Sequence, residues 1–74
     1  MKEAKLLEIF NLVQRKKDKP EISKLNSKWL LRDDLGFDSL DLAEITVRIE
    51  DEFGVDIFEN GFVRTVSEIL EKIK

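Results

Sequence analysis

The chain has 74 residues, 42% apolar and 39% charged, with a net charge of −3. That is one small domain, 1–74, too hydrophobic to stay disordered and without the ~18-residue apolar run a membrane span needs. Having no histidine and no cysteine, it lacks the usual bases and nucleophiles of Ser-His and Cys-His catalysis and the usual zinc ligands, so an enzyme is not expected. The absence of cysteine and of a basic-then-apolar signal at the N-terminus makes a cytoplasmic, soluble module the expectation.

Charge is distributed unevenly. Residues 1–32 hold 9 Lys/Arg and 4 Asp/Glu, residues 33–59 hold 1 and 10, and residues 60–74 hold 3 and 2. The acidic middle would repel nucleic acid and attract basic protein surfaces. The basic N-terminal third has no interleaved aromatics and reads as a solvated face.

In chain order, Leu6, Ile9, Phe10 and Val13 fall at i, i+3, i+4 and i+7, which predicts an amphipathic helix from Lys2 to Lys16 that Pro20 keeps from extending far. A connection of about twenty residues (17–37) follows, too apolar for a free linker because it holds Ile22, Leu25, Trp29, Leu30, Leu31, Leu35 and Phe37; we expect it to be pinned on the core. The middle helix should be capped by Asp38 and stopped by Gly54. Residues 55–64 contain Asn60-Gly61, a hairpin signal with flanks too short for a sheet, so a turn or one short helical turn is expected. In the last segment Val66, Ile69, Leu70 and Ile73 repeat the helical spacing after a Thr65/Glu68 capping box. The expected fold is all-α, a small three-to-four-helix bundle with a long ordered loop between the first and second helices.

At 100° per residue, Leu42, Ile45, Thr46, Ile49 and Phe53 share the core-facing side of the middle helix. Leu40, Ala43 and Val47 gather opposite, with Glu44 and Asp51 beside them. Single exposed apolar residues are ordinary, yet a ridge rimmed by acids also suits a partner with apolar hollows and basic edges. Glu50, Asp51 and Glu52 stand in the last turn, against the helix dipole. Ser39, first in the helix after its Asp38 cap, offers a hydroxyl where a phosphate ester is electrostatically favoured, although serine is common at helix starts in any case. Phe37 and Asp41 exclude a G-x-S-x-G elbow, and Leu35 and Phe37 exclude an EF-hand loop.

Asp34-Leu35-Gly36-Phe37-Asp38-Ser39-Leu40-Asp41 resembles the D-L-G-x-D-S-L-D signature of acyl carrier proteins. The likeness continues through Glu44, Ile49, Glu50, Asp51, Glu52, Phe53 and Gly54 to Thr65-Val66. It implies that Ser39, flanked by the Asp38 cap, is the attachment site of 4′-phosphopantetheine. A phosphopantetheinyl transferase would deliver the group from coenzyme A, and the terminal thiol would hold cargo as a thioester. It implies further that Leu40, Asp41, Glu44, Val47, Asp51 and Glu52 dock onto basic patches of acyl-transfer or biosynthetic enzymes, in fatty-acid, lipid or specialised biosynthesis, the carrier itself being a monomer. Arg48 in the acidic helix, a shorter 57–65 segment with Phe58 where proline is frequent, and Lys24, Lys28 and Arg32 in the first loop depart from the common pattern and suggest a specialised member. Trp29, Phe37, Phe53, Phe58 and Phe62 would fill the space a long acyl chain takes, favouring small or polar cargo. Two alternatives stay open, an aminoacyl or other specialised-cargo carrier and an unmodified helical interaction module.

Overall fold

In the first helix, α1 (Lys2–Lys16), the apolar stripe Leu6, Ile9, Phe10 and Val13 is buried, with Glu3 in the first turn and Arg15 and Lys16 in the last, as the helix dipole favours. The computed structural model describes residues 2–59, 61 and 63–73. What ends α1 is nearer than Pro20. Asp18 adopts a left-handed φ of 58°, and the Lys19 amide turns back to the Gln14 carbonyl at 2.9 Å. Aspartate tolerates that conformation better than most residues.

The second helix, α2 (Ser39–Phe53), packs against α1 and buries Leu42, Ile45 and Ile49. Full burial of Ile45 and Ile49 stabilises the fold by about 2–3 kcal/mol each. Gly54 closes the helix at φ 70°, its amide bonded to the Glu50 carbonyl, a left-handed cap that a side chain would strain. The third helix, α3 (Val66–Lys72), opens with the Thr65/Glu68 capping box and buries Val66 and Ile69. Its C-terminal carbonyls are met by the Lys2 ammonium, which donates to Leu70 and Ile73 at 3.0 and 3.2 Å.

Three helices and no strand are found among the described residues, an all-α architecture. The segment between α1 and α2 contributes Leu31, Leu35 and Phe37 to the core, with Phe37 edge-on to Phe10 at a centroid distance of 5.2 Å. Asn11, buried on α1, holds this segment by donating to the Ile22 carbonyl at 2.9 Å and accepting its amide at 2.6 Å. An isolated antiparallel bridge joins Leu30 to Thr65. Between α2 and α3, turn hydrogen bonds run from Glu59 to Asp56 and from Gly61 to Phe58; Asn60 and Phe62, where the hairpin signal and one of the filling aromatics fall, lie outside the described residues. Trp29, Phe53 and Phe58 are half-buried against the core rather than inside it.

Candidate functional site

The start of α2 is set by a reciprocal pair of carboxylates. Asp38 is extended, and its Oδ1 accepts the Asp41 amide at 2.9 Å while Asp41 Oδ2 accepts the Asp38 amide at 3.0 Å. The Asp38 cap agrees with the sequence reading; the return bond goes beyond it and gives Asp41, expected at the docking face, a structural role. The signal was there in the D-x-x-D spacing, a capping box with the shorter acid. Lys17, just beyond α1, reaches the same place, donating to Asp41 Oδ2 at 2.6 Å and to the Gly36 carbonyl at 2.7 Å. Burial pushes the Asp41 carboxyl up, but the bonds from Lys17 and Asp38 outweigh it and hold the group below its usual range. Gly36 turns the chain here at φ 73°, a left-handed conformation that a side chain would strain, and a Cβ on it would crowd Lys19 Nζ.

Ser39 follows as the first helical residue, exposed to solvent. Its Oγ accepts a hydrogen bond from Arg32 Nη2 at 3.0 Å, so the hydroxyl keeps its own proton free to donate. Arg32 entered the sequence reading only as one of the cations in the first loop. Nothing local marks it; the turn at Gly36 brings it back onto Ser39. Arg32, Ser39, Leu42, Ala43, Thr46 and Phe58 line an open, mostly apolar groove of about 420 Å³. A second hollow of about 300 Å³, walled by Leu30, Leu31 and Val63, shares Arg32, Leu42 and Phe58 with it.

The other residues singled out in the sequence divide into two groups. Leu40 and Val47 are 82% and 62% exposed, and Ala43 is exposed with them. The acids are less free than their sequence suggests. Glu44 Oε2 is gripped by Lys16 at 2.8 Å and by Arg48 at 2.9 Å, and these bonds hold its carboxyl below the usual range. Glu52 pairs with Lys5 at 3.1 Å. Asp51 is exposed and makes no ion pair among the described residues. The cation that looked misplaced, Arg48, is thus an i,i+4 partner of Glu44.

An exposed helix-start hydroxyl thus stands against a guanidinium and beside a mostly apolar groove of an all-α fold. The family described as the phosphopantetheine attachment site matches residues 6–73, and the chain belongs to it. No solved structure matches the chain. With the family comes a covalently attached 4′-phosphopantetheine. The residues fit such a group: Arg32 has no carboxylate partner among the described residues, and its charge complements a phosphodiester at the hydroxyl it already contacts.

Proposed function

We propose that Ser39 is the residue that bears the phosphopantetheine and that the chain, as one domain over residues 1–74, presents an acyl or related intermediate to successive biosynthetic enzymes. The observation that carries this reading is the exposed Ser39 hydroxyl at the first position of α2, inside the Asp34–Asp41 signature. In the attachment step Ser39 Oγ forms a new O–P bond as the pyrophosphate bond of coenzyme A breaks and 3′,5′-ADP leaves. The hydroxyl proton passes to a base of the separate transferase, since the group bonded to Ser39 is a cation. The bound arm supplies a terminal thiol that holds cargo as a thioester. The chain itself catalyses nothing in this scheme.

Docking, on this reading, uses the ridge of Leu40 and Val47 with Asp51 and the cap acid Asp38 at its edges. Asp41, Glu44 and Glu52 contribute less than their charges suggest because Lys17, Lys16, Arg48 and Lys5 already neutralise them. A partner for this face needs an apolar hollow more than a large basic patch, which favours a specialised carrier over a general fatty-acid one. The helices here are all too short or too polar to cross a membrane among the described residues, and we place the protein in the cytoplasm as a monomer.

The test is intact mass after incubation with coenzyme A and a broad-specificity phosphopantetheinyl transferase. The wild type should gain one phosphopantetheine and Ser39→Ala none. A gain on Ser39→Ala, or no gain on the wild type with several transferases, would overturn the assignment.

A further inference from the structure

We propose that Arg32 is a positioning residue for the prosthetic group, a guanidinium clamp that takes hold of the phosphodiester once Ser39 is modified. The inference rests on the reading of Ser39 as the attachment residue. Its starting point is the 3.0 Å contact from Arg32 Nη2 to Ser39 Oγ, made across a turn rather than within a helix. Arg32 is flanked by Asp33 and Asp34, yet it pairs with no carboxylate among the described residues. Asp34 is occupied elsewhere, its Oδ2 accepting the Leu30 amide at 2.7 Å. The guanidinium therefore has donors to spare.

The backbone that carries Arg32 is fixed on both sides. Leu31 is buried and its amide donates to the Arg64 carbonyl at 2.8 Å; the Phe37 amide donates to Leu31 at 3.0 Å and the Gly36 amide to Arg32 at 3.0 Å. Little chain entropy is lost when such a side chain closes on an anion. A phosphodiester carries one negative charge and two non-bridging oxygens, which a planar guanidinium can bind as a fork while an ammonium meets them only as a point charge. Arg32 also lines both hollows beside α2. The clamp thus anchors the group at the groove beside the helix start.

The experiment uses wild-type protein, Arg32→Gln and Arg32→Lys, each loaded by the transferase and verified by intact mass. The ³¹P resonance of the wild-type phosphodiester should be displaced from that of a small-molecule phosphodiester and move back towards it with added salt. In Arg32→Gln the resonance should lie at the small-molecule position at all salt concentrations, with Arg32→Lys between the two. The gain in melting temperature from apo to loaded protein should shrink by about 2 °C or more in Arg32→Gln. Identical resonances and identical gains in all three proteins would overturn the clamp, as would slower loading of Arg32→Gln without a change in its ³¹P resonance, which would confine Arg32 to transferase recognition. Absence of a mass gain on the wild type, or its persistence on Ser39→Ala, defeats the attachment reading and the clamp with it.

Discussion

Replacing Asp41 tests how the attachment end of α2 is held. Its carboxylate serves two donors, Lys17 Nζ at 2.6 Å and the Asp38 amide at 3.0 Å, and the side chains of Lys17 and Asp41 are only 23% and 13% exposed. At that burial the ion pair is screened less than a surface pair. Losing a charge-assisted bond and half of a capping box, with Lys17 keeping the Gly36 carbonyl and some water, puts Asp41→Ala at about 2 kcal/mol, or roughly 10 °C in Tm for a domain this small. Asp41→Asn keeps an acceptor for the Asp38 amide and should cost about 1 kcal/mol. The folded carboxyl sits below its ordinary pKa, so the stability it contributes is complete above the ordinary carboxylate range and is lost as pH falls through the folded value. Urea titrations should therefore show Asp41→Asn weaker than wild type at neutral pH and the gap closing in acid, as pH falls through the lowered pKa of the folded Asp41 carboxyl. A gap that is the same at neutral and at acid pH would refute the ion-pair reasoning. So would a double-mutant cycle with Lys17→Met whose coupling energy falls below about 0.3 kcal/mol.

Two further outcomes are expected. Asn11→Ala should cost about 2–3 kcal/mol in urea titration and strip hydrogen-exchange protection from the Ile22 amide, because both polar groups of Ile22 lose their partner; a loss under about 0.5 kcal/mol would mean that Asn11 does not hold the segment. Substituting Leu40→Ser together with Val47→Ser should leave stability within about 1 kcal/mol, as both are exposed. The same pair should raise the transferase KM for the carrier several-fold with kcat little changed, and an unmoved KM would show that this enzyme docks elsewhere.

The parts of α2 that were legible in the sequence are those decided within a turn or two. Asp38 and Gly54 mark its ends because capping is local, and the ridge of Leu40, Ala43 and Val47 follows from helical period alone. The same angular reading placed Thr46 and Phe53 in the core, and both are only half-buried. Period gives a direction and not what covers it: Thr46 turns its hydroxyl to the Leu42 carbonyl at 2.7 Å and faces the groove, and Phe53 stands in the last turn. Least legible were the pairings of Asp41, Glu44 and Glu52. Apart from Arg48, the i,i+4 partner of Glu44, their cations Lys17, Lys16 and Lys5 are distant in sequence and meet α2 through the packing of α1 against it. Asn11 and Gln14 were hidden for a similar reason, since polar residues on a helix gave no sign of being buried.

The bridge between Leu30 and Thr65 ties together two stretches of chain far apart in sequence. A helix as short as α3 cannot persist alone in water. Its first amides are supplied by the connecting segment, Val66 bonding to the Trp29 carbonyl and Ser67 to that of Ser27, while Leu31 bonds back to Arg64. The wall of the hollow beside Phe58 is therefore one cooperative unit made of two stretches of chain. The start of α3 and the end of the connecting segment thus hold each other, and loosening either stretch releases backbone groups of both.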